Sequence, residues 1–445
     1  MIVMKFGGSS VANAERIRHV EGIVRSQLER KPVLVLSAMG DTTDRLLEAG
    51  DEALERGQVR IGKIAALHLG TMEELGLPPE VKDRIKPLLD ELERLLMGIA
   101  LIRELTPRTR DYLVSFGERL SVRIAAACFS SLGMPARALD AWEGGMLSDS
   151  GYTGAELLEE SWELVPQRIK PLVGEGLLPV ITGFIARDRN GNTTTLGRGG
   201  SDLSATFIAA ACGAEEVQVW KDVDGILTAD PRIVKKARPV GEVTYEAAAE
   251  LAYFGAQVLH PRAMQPCIRT GTPVLVKNSY NPSAAGTRIV AALTGKPRPI
   301  QAITSRKNVT LVDIVSTRKL GQFGILAEVF AALAKHGISV DMVATSEVSV
   351  SVTMNADCDL SGLLGDLSRI ASVELKTRRA IITIIGNVSR SSEILARAFR
   401  TCGLLGVTVQ MVSQGASKVN ISFIVEDAEA AGVLNALHSD FFEGR

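Results

Sequence analysis

Short apolar runs alternate with longer amphipathic stretches along the first two thirds of the chain. Met1 to Phe6, Val33 to Ser37, Leu178 to Thr182, Val217 to Trp220 and Val274 to Val276 are rich in Val, Ile and Leu, as strands covered on both faces should be. Helical periodicity fills the intervals. Strand followed by helix, repeated, predicts an α/β domain over residues 1–292 whose mostly parallel sheet is sandwiched by helices. From about Asp44 to Arg110 the Leu- and Glu-rich sequence keeps i, i+3, i+4 apolar spacing, which predicts a helical subdomain. Pro282, Gly286, Gly295, Pro297 and Pro299 then break the pattern, so a linker is expected over 293–305.

A second architecture follows. From Val309 the order reads strand, helix (325–336), strand (338–344), strand (348–354), helix (360–370) and strand (373–376), a βαββαβ unit over residues 306–377. Gly337-Ile-Ser-Val-Asp-Met-Val-Ala and Gly406-Val-Thr-Val-Gln-Met-Val-Ser match in pattern, so residues 378–445 read as a second copy in tandem.

At 445 residues the chain suits about three domains. No apolar run approaches the roughly 20 residues of a membrane span. Fifty basic side chains against 51 acidic ones, with aromatics at 4%, leave neither charge nor stacking surface for a nucleic acid. The five cysteines form no Cys-x-x-Cys pair, which predicts free thiols in a reducing compartment. The first residues run straight into a strand without a signal segment, so a cytoplasmic protein is expected.

Two glycine-rich loops carry the candidate chemistry. Lys5-Phe-Gly-Gly-Ser-Ser10 lies where the first strand ends and a helix begins near Asn13, so backbone N–H groups there can face a phosphate while Lys5 adds a positive charge. A glycine-rich turn beside a surface lysine would read the same way. Thr193-Thr-Thr-Leu-Gly-Arg-Gly-Gly-Ser-Asp202 precedes a second helix. Arg198 there can clamp a carboxylate or phosphate, and Asp202 can orient a lysine or approach magnesium. Ser201 or Asp202 is also expected to cap that helix. Ser115-Phe-Gly-Glu118 reads as a capping box ahead of an apolar helix. Trp220-Lys-Asp-Val-Asp-Gly225 and Thr228-Ala-Asp-Pro-Arg232 form a polar stretch after a strand, where α/β sheets bind ligands. The five histidines are scattered, without metal-ligand spacing.

Together with Ser37-Ala-Met-Gly-Asp-Thr-Thr-Asp44 and Phe254-Gly-Ala-Gln-Val-Leu-His-Pro261, these motifs resemble those of the aspartate kinases within the amino-acid kinase family. The resemblance implies an ATP- and Mg2+-dependent transfer of a phosphoryl group to the side-chain carboxylate of L-aspartate, the first step toward lysine, threonine and methionine. Lys5 and Asp202 would be catalytic, with Asp202 setting lysine and metal geometry and no residue cluster dedicated to the metal. Thr43, Glu118, Arg198, Gly199, Gly200 and Ser201 would hold aspartate, Glu118 on its ammonium and Arg198 on its α-carboxylate. The nucleotide would meet Lys5, Gly7, Gly8, Ser9, Lys221, Asp222, Leu227, Asp230, Arg232 and Gln257. Many relatives carry lysine in place of Gln257 and tyrosine in place of Leu227. A carboxylate is already ionised at neutral pH, so this transfer needs no general base.

The C-terminal pair resembles two ferredoxin-like ACT domains, which sense amino acids in this family. By that resemblance lysine, alone or together with threonine, would bind at Lys319, Gln322, Gly324, Ile325, Leu326, Ser339, Val340, Asp341, Thr345, Ser346 and Glu347. Asp341 corresponds to Gln410 in the second copy, so only the first copy keeps the anion. A homodimer or higher homo-oligomer through these domains is implied. The alternatives are a kinase of another amino-acid carboxylate, such as glutamate, and an inactive amino-acid sensor.

Overall fold

The computed structural model describes residues 1–253, 259–295, 299–315, 324–386, 390–414 and 419–444. They form two compact units. One comprises Met1–Ile226, Gly241–Tyr245 and Val258–Ala292, and the other Leu227–Val240, Glu246–Gln257 and Leu293–Arg445.

The first unit begins with β1 (Ile2–Phe6), α1 (Ala14–Arg25) and β2 (Pro32–Leu36). Four helices follow: α2 (Thr42–Arg56), α3 (Gly62–Leu75), α4 (Pro79–Ile102) and α5 (Pro107–Ser131). Then come β3 (Ala136–Leu139), β4 (Leu147–Ser148), α6 (Ser161–Gly174), β5 (Leu178–Thr182), β6 (Ile185–Asp188), β7 (Thr193–Thr195) and α7 (Gly200–Cys212). The rest is β8 (Val217–Lys221), β9 (Glu242–Thr244), the start of α8 (Tyr245–Tyr253), α9 (Pro261–Thr270), β10 (Val274–Asn278) and β11 (Thr287–Val290).

Eight strands make one sheet in the order β3-β5-β2-β1-β8-β10-β11-β9. The pairs from β3 to β10 are parallel. Every residue of β1, β2 and β5 is buried, which is why those strands read as continuous apolar runs. Three strands of this sheet, β3, β9 and β11, are not among the expected runs; of these Ala136-Arg-Ala-Leu139 lies at the sheet edge and buries only Leu139. The expected helical subdomain is present, its core formed by Leu46, Ile64, Ile85, Leu92, Leu96 and Leu113 among others.

Two expected helix caps are corrected. Ser115-Phe-Gly-Glu118 lies inside α5, which starts earlier because Thr106 accepts from Thr109 N and Pro107 takes the first helical position. Helix α7 is capped by Gly199 with no side-chain bond, and the Asp202 carboxylate turns instead to two lysines.

The second unit holds β12 (Ile300–Val315), α10 (Ile325–Lys335), β13 (Val343–Thr345), β14 (Ser349–Asn355) and α11 (Ser361–Leu367). It continues with β15 (Ser372–Gly386), α12 (Ser391–Leu404), β16 (Met411–Ser413), β17 (Asn420–Glu426) and α13 (Ala430–Glu443). The six strands form one antiparallel sheet, β13-β14-β12-β15-β17-β16.

The two copies are interleaved rather than strictly in tandem. The far half of β12 and the near half of β15 serve the first lobe, whose core includes Val312, Val329, Val352 and Leu363. Their other halves, Ile300 to Arg306 and Arg379 to Gly386, serve the second, with Ile303, Ile382, Phe423 and Leu434. The changeover lies at Asn308 and Arg378, both left-handed (φ 57° and 52°), beside register shifts between Arg306 and Leu311. Part of the expected linker is therefore strand. Ile300, Ala302 and Ile303 are buried, but the neighbouring prolines obscure the strand.

Residues 227–240 also depart from the expected 1–292 domain. Ala229 and Val234 enter the second lobe's core. Thr228 Oγ1 meets His438 Nε2 at 2.9 Å, and Asn435 Nδ2 donates to Ile233 O at 3.2 Å. Among the described residues, no helix is long and apolar enough to cross a membrane.

Candidate active site

In an open α/β sheet the carboxyl ends of the parallel strands leave unpaired backbone groups, and loops there collect ligands. In the first unit the loops after β1, β2, β5 and β7 meet around a cavity of about 350 Å3. Its lining includes Lys5, Gly8, Thr43, Glu118, Arg198, Gly199, Gly200, Ser201 and Asp202. Both expected catalytic residues and all six expected substrate residues thus come together, from segments up to about two hundred positions apart.

At one end is a buried charge network. Lys5 Nζ lies 2.7 Å from Asp202 Oδ1, and Lys221 Nζ lies 3.1 Å from Oδ2. Lys5 is 7% and Asp202 5% exposed. Burial alone would push the Asp202 carboxyl up, but the two lysines more than reverse this and hold it below the usual carboxylate range. Two cations on one anion leave positive charge to spare for a phosphate.

Glu118 lies at the other end, on the inner face of α5, and is 2% exposed. Its Oε1 accepts from Ala38 N at 3.2 Å, while Oε2 has no hydrogen-bond partner. Burial raises its carboxyl to about 8, and the Ala38 N–H and the Lys5 charge recover only part of that. Such a group is suited to a ligand carrying a cation.

Tight apposition of the loops fixes this geometry. Gly40 N donates to Gly8 O at 3.1 Å, and a side chain at Gly8 would press on the Ala38 and Gly40 carbonyls at 2.9 Å. Ser37 Oγ donates to Ser201 Oγ at 3.1 Å. Ser10 Oγ, behind the first loop, meets Ser279 Oγ at 2.9 Å.

Of the expected nucleotide residues, Lys5 and Gly8 line the cavity, whereas Gly7 and Ser9 share their loop without lining it. Lys221 ends β8 on Asp202, and Asp222 beside it is exposed. Leu227, Asp230 and Arg232 belong to the second unit, where Arg232 Nη2 donates to Asp230 Oδ2 at 2.7 Å. Gln257 lies outside the described residues. Ser37, Ala38, Gly40, Phe184 and Gly197 line the cavity unforeseen. Three of these sit in the Ser37–Asp44 motif, and Phe184 follows β5, so position at a parallel strand's carboxyl end was the available signal.

In the second unit, the expected effector positions Lys319 and Gln322 fall outside the described residues. Gly324, Ile325 and Leu326 open α10; Ser339, Thr345, Ser346 and Glu347 are exposed, and Val340 is half-buried. Asp341 is engaged: Arg306 Nη1 lies 2.9 Å from its Oδ1, Tyr253 Oη donates to the same oxygen at 2.8 Å, and Oδ2 is unpartnered. At the corresponding Gln410, Oε1 accepts from Arg379 Nε at 2.7 Å.

Residues 1–278 match the amino acid kinase family, and residues 312–358 and 382–441 match the ACT domain. Over 458 residues the chain is 50% identical to aspartokinase 1, chloroplastic, of Arabidopsis thaliana, covering 99% of this chain and 80% of that one. The crystal structure of Escherichia coli aspartokinase III with lysine and aspartate, in its T-state, superposes with a TM-score of 0.84 at 34% identity, covering 99% of each chain. The R-state of that enzyme, with aspartate and ADP, gives 0.81 at 33%, covering 99% of this chain and 100% of that one.

Proposed function

The chain belongs to the amino acid kinase family and is an aspartokinase, and from that premise we propose how its residues divide the reaction. The carrying observation is the contrast inside one cavity between Glu118, a buried carboxylate with an unpartnered oxygen, and the Lys5–Asp202–Lys221 network. Glu118 takes the ammonium of aspartate. Arg198 takes its α-carboxylate, and Thr43, Gly199, Gly200 and Ser201 complete the bed. The side-chain carboxylate then faces Lys5.

ATP enters as its magnesium complex. An aspartate carboxylate oxygen attacks the γ-phosphorus, the bond to the bridging oxygen of ADP breaks, and ADP leaves with that electron pair. Lys5 offsets the charge on the transferring oxygens while Asp202 holds Lys5 and Lys221 in place. No proton has to move. Gly7, Gly8 and Ser9 offer N–H groups to the phosphates, and Asp222, Leu227, Asp230, Arg232 and Gln257 are assigned to the nucleotide. Arg198→Ala should raise the KM for aspartate and spare that for ATP. An effect mainly on ATP would exchange the two ends of the site.

We also infer that lysine, alone or together with threonine, inhibits through the first lobe at residues 319–326 and 339–347. The lysine in the Escherichia coli structure supports this, as does the spare lone pair of Asp341. Asp341→Ala should relieve inhibition and Gln410→Ala should not, and an unmoved inhibition curve for Asp341→Ala would refute the assignment. The open edges of the sheet, β13 and β16, favour a homodimer. Free thiols at all five cysteines, four of them buried, suit the cytoplasm.

A further inference from the structure

Arg198 stands between two left-handed glycines, Gly197 and Gly199, with φ of 70° and 74°. Glycine admits that backbone without strain but also leaves the segment free to wander. An arginine on such a loop can define a carboxylate site only where the flanking backbone is held from outside.

Two residues that do not line the cavity supply that hold. Asp111, on α5 and 1% exposed, accepts from Thr195 N at 2.8 Å and Thr153 N at 2.9 Å through Oδ2, and from Thr195 Oγ1 at 2.8 Å through Oδ1. Arg262, at the start of α9, donates through Nη1 to Leu196 O at 2.8 Å and through Nη2 to Ala155 O at 2.6 Å. Ala155 N in turn donates to Thr195 O at 2.9 Å. The carboxylate takes the N–H groups of the segment and the guanidinium takes its carbonyls. His260 closes the other side, since a side chain at Gly199 would lie 2.7 Å from the His260 Cβ.

We propose that Asp111 and Arg262 are positioning residues for aspartate, clamping the backbone of Thr195 and Leu196 so that Arg198 and Ser201 are presented in one geometry. The proposal rests on the assignment of Arg198 and Ser201 to aspartate. Without the clamp, ordering the loop is charged against each binding event, and the loss falls on the amino acid rather than on the nucleotide. Asparagine can keep both N–H contacts through its single oxygen and donate its amide to the Thr195 hydroxyl, so alanine, which removes all three acceptor contacts, is the variant that breaks the clamp.

Steady-state kinetics in both substrates, with circular dichroism as the check on folding, test the proposal. Asp111→Ala and Arg262→Lys should raise the KM for aspartate about tenfold or more and change that for ATP less than about twofold. Thr195→Val, which removes one hydroxyl donor, should raise the aspartate KM about threefold, while Thr195→Ser stays near wild type. If Asp111→Ala fails to fold, the Thr195→Val and Thr195→Ser pair decides. Equal rises in both KM values, or no rise in folded variants, overturn the clamp. Arg198→Ala separates the two claims: if it leaves aspartate unaffected, the site assignment fails, and if it acts on aspartate while the clamp variants do not, only the positioning fails.

Discussion

The two ends of the cavity each bury an acid, and the acids have opposite fates. Asp202 has a lysine on each oxygen and stays ionised below the usual range. Glu118 has one backbone N–H and an orphaned oxygen, and burial carries its carboxyl to about 8. One acid is balanced by the protein, and on the proposed assignment the other is balanced by the substrate's ammonium. On that assignment the catalytic and the recognition acid differ in what balances them.

The sharpest break is Lys5→Ala. It leaves Asp202 with Lys221 alone and should lower turnover about 100- to 1,000-fold, since one preorganised charge contributes about 3–4 kcal/mol to the transition state. Near-normal kcat in a folded variant would sink that role. Glu118→Gln comes next: the KM for aspartate should rise about 10- to 100-fold, the range of a lost charged hydrogen bond, with ATP affinity spared.

Proton linkage gives a subtler test. If aspartate's ammonium pairs with the Glu118 carboxylate as proposed, kcat/KM for aspartate should rise about tenfold per pH unit toward about 8 and then level. In Glu118→Gln that slope should vanish, and a surviving slope would assign it elsewhere. Stability runs the other way. Between the ordinary carboxylate range and about 8, folded Glu118 keeps a proton that the unfolded chain has lost. The ligand-free protein should therefore lose up to ~1.4 kcal/mol per unit as pH rises through that window. Asp202 contributes fully above the ordinary range and is lost as pH falls through its lowered pKa. Thermal melts of wild type and Glu118→Gln from pH 5 to 8 should converge at the low end and separate at the high end. Lys221→Met should be mildest, about three- to tenfold in kcat/KM for ATP, because Lys5 still balances Asp202.

Much of this was legible in the sequence because it depends on local signals. Buried parallel strands advertise themselves as apolar runs, and paired glycines mark both loops. What escaped depends on distance along the chain. Glu118 looks like part of a helix start, because Ser-x-x-Glu is a local pattern, and only the bundle that α5 forms with α2 and α4 places it inside a helix facing the cavity. Asp111 carries no motif at all, since its three donors come from Thr153 and Thr195. The repeat between Asp341 and Gln410 was readable, but the crossing of β12 from one lobe to the other was not. Its first half pairs with residues about eighty positions later, Ile303 against Ile384.

That crossing, with the lodging of residues 227–240 in the second lobe, dictates an order of assembly on the ribosome. The first lobe can close once β15 begins to emerge, for its other strands are already made. Thr228 must wait for His438, 210 positions later, and at about 5–20 residues per second this is a delay of roughly 10–40 s. Throughout it Ala229 and Val234 lack α13, and the apolar half of β12 gains β15 only about eighty positions after it is made. The nascent chain is thus most exposed to aggregation just before α13 is complete, and shortening the carboxyl terminus by that one helix would make the interval permanent.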